Sequence, residues 1–342
     1  MNNKLIFLLL ILTNVTYASK HNNWAESMYF NTTFLRNYDL VEQMLIEEEG
    51  FEHVTFPSSD GLKLSGILLK RPGAKTTIIF CAGFFPGRKE GQAPVYKMLP
   101  TTYNVLLFDA RGHAKSEGPF FSTLGHYGRN EYKDVLGAID FVQKQVGGAI
   151  IIYGVCAGSV HATHALLNIE KEKKSNIIGL VFDSGFGSTL DLESALSYHI
   201  REKFMPNYFT WYANKEKIRE TYFFRACSFF ATKLLSGLNE LLFMGKIRKY
   251  NHETKLSDKI HKLDIPTFFI HCKNDAYSPF EKIVTLAESV ENKEVWWLED
   301  SSHSNNALKH KHEYKKRLLN FFDSICREPD SNRHSNECTT RT

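Results

Sequence analysis

The sequence predicts an α/β fold: a mostly parallel sheet flanked by helices, with a helical insertion late in the chain. Three observations predict it. Apolar runs bounded by turn residues alternate with helix-length segments through the middle of the chain, the order expected of a parallel sheet. Those runs are near-continuous in Ile, Leu, Val and Phe instead of alternating with polar residues, so both faces of the sheet are expected to be covered. The alternation then breaks at about residue 185 and resumes only at about 260.

In chain order, Lys4 precedes an apolar run at 5–12, and Thr16-Tyr17-Ala18 places small residues where a signal peptidase cuts. Residues 1–18 are therefore expected to be an export signal. The apolar run is well short of the roughly 20 residues that span a bilayer. An N-terminal extension, 19–50, closes on Glu47-Glu48-Glu49-Gly50, the pattern of a helix with a glycine stop. The core opens at 51 with strand-like segments at 53–57 and 62–69, joined by Ser58-Ser59-Asp60-Gly61 as a hairpin turn. Further strands are expected at 76–81, 103–108, 149–153, 177–182, 267–271 and 294–298, with helices at 131–146 and 157–169. The first part of the core ends at 184.

The insertion, 185–260, carries Tyr208-Phe209-Thr210-Trp211-Tyr212, Phe223-Phe224, Phe229-Phe230 and an apolar stretch at 234–243. These clusters read as cap helices that bury one face against the main domain. Contact with a membrane surface is the other use for such stripes. The core resumes at 261–327, and the polar segment 328–342 is expected to be a mobile tail.

Composition narrows the function. Hydrophobic residues make up 43% and charged residues 23%, ordinary globular usage, and the net charge of +4 is not the clustered basicity of a nucleic-acid binder. The six cysteines are dispersed without paired C-x-x-C spacing, so neither zinc nor a disulfide-held miniprotein is implied, although Cys326 and Cys338 could pair in an oxidising compartment. Nothing implies a cofactor, and oligomeric state is not legible.

The chemistry concentrates at Ile150-Ile151-Ile152-Tyr153-Gly154-Val155-Cys156-Ala157-Gly158, an apolar strand that runs through G-x-C-x-G into a helix. A sharp strand-to-helix turn forces its central residue into strained backbone, and flanking glycines remove side chains that would clash. Cys156 is thereby presented outward at a helix N-terminus, where free amides and the helix dipole favour a thiolate and an oxyanion. The alternative is an inert small cysteine at a buried junction.

On this segment and three more, the chain resembles the α/β-hydrolase superfamily, especially its serine-aminopeptidase-like and monoglyceride-lipase-like branches. Phe80-Cys81-Ala82-Gly83-Phe84-Phe85-Pro86-Gly87 matches the family's oxyanion loop with Ala82 in place of the common histidine. The resemblance implies an α/β-hydrolase fold with Phe84 and Ala157 amides as the oxyanion donors. Residues 108–119, beginning Phe108-Asp109-Ala110-Arg111-Gly112-His113, resemble the family's D-x-R-G loop, whose role is architectural. Residues 265–275 match the strand and turn that supply the family's acid, which points to Asp275; Asp183, after the preceding strand, is the competing position. Residues 296–303 end on His303, where the family places its base, while His161, His164, His310 and His312 read as packing or surface residues. The order nucleophile, acid, histidine is that of the family.

The resemblance implies an esterase, thioesterase or lipase-like enzyme acting through Cys156, Asp275 and His303 with a thioester intermediate, and the aromatic clusters of the insertion point to a small-molecule acyl substrate that is apolar. An acyltransferase using the same residues, and a catalytically silent binding protein on this fold, are the alternatives.

Overall fold

The computed structural model describes residues 38–83, 87–118, 129–188, 255–275 and 277–327. Its strands are β1 (Glu52–Pro57), β2 (Lys63–Leu69), β3 (Thr76–Cys81), β4 (Tyr103–Phe108), β5 (Ala149–Val155), β6 (Ile177–Asp183), β7 (Thr267–Cys272) and β8 (Lys293–Leu298). They form one sheet in the order β1-β2-β4-β3-β5-β6-β7-β8. The β1–β2 and β2–β4 pairs are antiparallel and all later pairs parallel. The helices are α1 (Tyr38–Glu47), α2 (Ala93–Tyr96), α3 (Tyr132–Gln145), α4 (Ala157–Asn168), α5 (Lys171–Lys174), α6 (Phe280–Glu288), α7 (Asn306–Lys309) and α8 (Lys311–Arg327).

Every strand expected from the apolar runs is present, and three extend further toward their C-terminal ends. The run at 149–153 stops at Gly154, yet β5 continues because Gly154 and Val155 still pair with Phe182 and Asp183. Hydropathy marks where side chains enter the core, whereas the ladder follows backbone amides. The hairpin turn forms as read, with Gly61 at φ +90° and the Ser58 amide donating to the Leu62 carbonyl over 2.8 Å. Gly50, at φ +81°, follows the end of α1 in the left-handed conformation of a helix stop.

Alternating residues of the central strands feed two cores, which explains why the runs are apolar throughout. Ile150, Ile152, Ile79 and Phe269 face the side covered by α3, α4 and α6, with Val135, Ala162 and Ile283 packed beneath. Ile151, Tyr153, Phe80 and Phe268 face the side covered by α1 and α8, with Leu45, Leu318, Phe321 and Phe322. Burying each such side chain contributes about 1.5–3 kcal/mol, so the central strands anchor the molecule.

The strand order reverses at β3, which sends β4 to one side and β5 to the other. A crevice outside the C-terminal strand ends at such a reversal is where open α/β sheets bind ligands. The loop leaving β3 toward this crevice is held by a buried charge cluster. Lys89 Nζ, fully enclosed, lies 3.0 Å from Asp109, 3.0 Å from Glu42 of α1 and 3.2 Å from Glu90, and the Lys89 amide donates to Asp109 over 3.0 Å. Burial works against the ammonium, but the carboxylates outweigh it and keep Lys89 above its ordinary value. Arg111 pairs with Asp134 and Asp60 at 2.7 and 2.8 Å, and the His113 ring fills the space a Cβ on Gly87 would occupy. Asp109, Arg111 and His113 therefore have structural partners, in keeping with an architectural loop.

The expected cap lies outside the described residues except for its two ends. Those ends meet: the Leu256 amide donates to the Gly187 carbonyl over 2.9 Å, and Leu256 and Ile260 are buried in the core beside α4. The signal at 1–18, most of the extension, the tail at 328–342 and Cys338 of the suggested Cys326–Cys338 pair also lie outside the described residues.

Candidate active site

Cys156 sits between the end of β5 and the first turn of α4 with φ 54° and ψ −122°, a conformation side chains rarely adopt. The flanking glycines are there for steric reasons. A Cβ on Gly154 would lie 2.5 Å from the Ser159 Cα, and one on Gly158 would lie 1.9 Å from the Cys81 carbonyl oxygen. Gly83, just after β3, passes so close that its added Cβ would be 3.1 Å from the Cys156 Cβ and 3.7 Å from Sγ. The loop after β3 thus runs directly against the thiol, which is itself partly exposed.

His303 follows β8 and reaches back across the strand ends. Its Nε2 is 3.0 Å from Cys156 Sγ, and its Nδ1 is 2.8 Å from Asp275 Oδ2 and 3.0 Å from Oδ1. Asp275 lies in the turn after β7, where Oδ1 accepts the amides of Tyr277 and Ser278 at 2.8 and 3.0 Å. Asp275 and His303 are almost fully enclosed. Burial opposes charge on His303, yet Asp275 and Cys156 together hold the imidazole well above its ordinary value. Burial likewise opposes the Asp275 carboxylate, but His303, aided by His271 and the turn amides, holds it below the usual carboxylate range.

The structure therefore brings Cys156, Asp275 and His303 into one hydrogen-bonded row. Ala157 opens α4, where the first amides have no carbonyl within the helix to bond, and Phe84 lies outside the described residues. Asp183, the competing acid, is not in the row. Its carboxylate is buried on β6 among Tyr314, Asn306, Ser184 and Tyr153, while His303 Nδ1 engages Asp275. Burial raises the Asp183 carboxyl even against these four donors.

His161 and His164 are enclosed on α4, where burial pushes His161 down to about 3, and His310 pairs with Asp300 at 3.0 Å. Sequence reasoning passed over His271 and Ser278. His271, buried on β7, is 3.0 Å from the Ser278 carbonyl through Nε2 and so braces the turn that carries Asp275. A histidine inside an apolar strand reads only as core, so no pattern marked it.

A sheet of this topology, a strained residue between β5 and α4, and a histidine arriving from beyond β8 define the class. The sequence profile of the alpha/beta hydrolase family matches residues 78–313. The chain belongs to that family and is a hydrolase of the α/β class. A Bacillus subtilis (strain 168) relative, uncharacterized protein YqkD, is 23% identical over 289 residues, which cover 84% of this chain and 83% of that one. Among solved structures, an esterase of Pyrococcus furiosus is similar with a TM-score of 0.58 and 20% identity, over 80% of this chain and 91% of that one. An esterase from Exiguobacterium antarcticum has a TM-score of 0.53 and 17% identity over 80% and 100%. The enol-lactonase from Burkholderia xenovorans has a TM-score of 0.53 and 16% identity over 78% and 99%. At these identities the likeness is one of fold.

Proposed function

We propose that the protein hydrolyses an ester or thioester of a small, apolar acyl compound, with Cys156 as nucleophile, His303 as acid and base, and Asp275 orienting the imidazole. The observation that carries this reading is the contact of 3.0 Å between His303 Nε2 and Cys156 Sγ, made while Nδ1 is held by Asp275. The proton moves from sulfur to Nε2, and the resulting imidazolium is stabilised by a carboxylate that stays ionised.

The thiolate then attacks the acyl carbonyl, and the displaced electron pair settles on oxygen. Amides of Ala157 and Phe84 are the donors assigned to that oxyanion. Collapse breaks the bond to the alcohol or thiol, which leaves with the Nε2 proton. Forming the thioester also removes the thiolate, one of the two anions holding the imidazolium charged, so the acid strengthens at the step that needs it. Neutral His303 next takes a proton from water, the hydroxide attacks the thioester, and Cys156 departs as thiolate.

The aromatic clusters within 208–243 support an apolar acyl group. The similar folds named as esterases and an enol-lactonase agree with ester chemistry. Export belongs to the same proposal on the strength of residues 1–18, and N-terminal sequencing of the mature chain is expected to begin at Ser19; retention of Met1 or Lys4 in exported protein would remove it.

The mechanism is tested by quenching the protein during turnover of p-nitrophenyl butyrate and measuring its intact mass. A mass increase of one butyryl group, mapped to the peptide containing Cys156, is the expected result. Turnover with no acylated species, unaffected by prior alkylation of Cys156 with iodoacetamide, would overturn the assignment.

A further inference from the structure

We propose that the consecutive residues Asp183, Ser184 and Gly185 form a three-armed positioning element that sets Cys156, His303 and Asp275 relative to one another. The inference rests on the Cys156–His303–Asp275 reading and concerns how that row is held together. Each of the three residues makes one hydrogen bond toward a different member of the row.

The first arm is the Asp183 carbonyl, which accepts the Cys156 amide at 2.8 Å and the Ser159 hydroxyl at 3.0 Å, and so fixes the elbow from below. The second is the Ser184 hydroxyl, which accepts the amide of Ser304, the residue after His303, at 3.1 Å and the Asn306 side-chain amide at 3.0 Å. The third is the Gly185 carbonyl, which accepts the Ser278 hydroxyl at 2.6 Å, while the Ser278 amide donates to Asp275.

Backbone geometry agrees. Among the described residues only four that are not glycine have positive φ, and three of them belong to this assembly: Cys156 at 54°, Ser184 at 52° and Ser304 at 58°. Strained backbone persists only where surrounding contacts over-determine it. A Cβ on Gly185 would lie 2.4 Å from the Phe182 ring and 2.9 Å from the Ser159 Cβ, so the turn can pass beneath the elbow only as glycine.

The carboxylate of Asp183 explains why Ser184 holds its rotamer. Its Oδ1 accepts Ser184 Oγ and Asn306 Nδ2, both at 2.8 Å, and Oδ2 accepts Tyr314 at 2.7 Å and Tyr153 at 3.2 Å. The serine proton is thereby directed at Asp183, which leaves the oxygen lone pairs of Ser184 to receive Ser304 and Asn306. Asp183 acts through Ser184 as a positioning residue and does not serve as the acid.

The decisive variant is Ser184→Gly, since glycine keeps the left-handed backbone and deletes only the hydroxyl arm. His303, whose neighbours Asp275, Cys156 and His271 set its charge, is followed by NMR titration of its ring alongside ester kinetics and thermal melting. In the folded variant, kcat is expected to fall by about ten-fold or more with KM within two-fold, and the His303 midpoint to move down toward the ordinary imidazole value as the ring loosens from Asp275. Ser278→Ala, which cuts the third arm and keeps the Ser278 amide, is expected to move both readouts the same way and carries the test if Ser184→Gly does not fold.

A folded variant with the wild-type titration and kcat would overturn the inference, because a merely structural serine would change the melting temperature alone. The titration needs no substrate. Loss of ester activity in the wild-type protein with the titration still shifting in the variant would refute the proposed function and leave the positioning element standing.

Discussion

Cys156→Ala is expected to lower kcat for ester hydrolysis by at least about ten-thousand-fold while KM changes little, because in the proposed mechanism the residue forms the bond that divides the reaction into two steps. What survives is background assistance from bound substrate and backbone amides, the residue that triad knockouts leave in other hydrolases. Cys156→Ser should fall between wild type and alanine. Serine fits the same elbow, whose φ of 54° is set by the backbone and by Gly154 and Gly158 and not by sulfur. Its hydroxyl, however, gives up a proton to His303 far less readily than a thiol does. Steady-state kinetics on the three proteins decide the matter, and equal rates in all of them would remove Cys156 from the chemistry.

Asp275→Asn should cost about a thousand- to ten-thousand-fold in kcat, by forcing the wrong imidazole tautomer. Asp275 Oδ1 accepts two backbone amides, from Tyr277 and Ser278, so an asparagine there must turn its carbonyl oxygen to them and present its NH2 group to His303 Nδ1. Two donors cannot face each other. Nδ1 must then be bare and the proton sit on Nε2, aimed at Cys156 Sγ, where an acceptor is needed.

The same variant has a signed effect on stability. The folded-state pKa of His303 is raised, so its contribution is fully present below the unfolded value of about 6.5 and is lost as pH rises through the higher folded value. The folded-state pKa of Asp275 is depressed, so its contribution is present above the ordinary carboxylate range of about 4 and is lost as pH falls through the folded value. The melting-temperature difference between wild type and Asp275→Asn should therefore favour wild type most between about pH 4 and 6.5 and shrink on either side. A difference that does not vary with pH would mean that the two groups are not linked.

Much of this was legible before any coordinates. The strands could be read because β3 to β7 are buried on both faces, which leaves apolar runs that stop at turn residues. The elbow could be read because a strained turn against neighbouring backbone tolerates nothing larger than glycine at 154 and 158, and that demand is written into the sequence. Position in chain order also marked out His303 from 14 histidines and ranked Asp275 above Asp183.

The supporting contacts were not legible. Ser184 and Ser304 are 120 residues apart, and a serine after a strand carries no pattern that names its partner. Nothing in the sequence marks Lys89 and Glu42 as a buried pair, because burial of an ion pair depends on which helix covers it. Asp183 ends β6 and Asp275 lies in the turn after the neighbouring β7, and only the path of the chain beyond β8 brings His303 down over one of them. By itself the sequence determined what is local in origin: strand and helix periods, the glycines the elbow requires, and the residue types that chemistry at its tip would use. Only the tertiary structure decided which carboxylate meets the imidazole and what keeps the row aligned, because those contacts join distant segments whose separation is set by packing on two faces of the sheet.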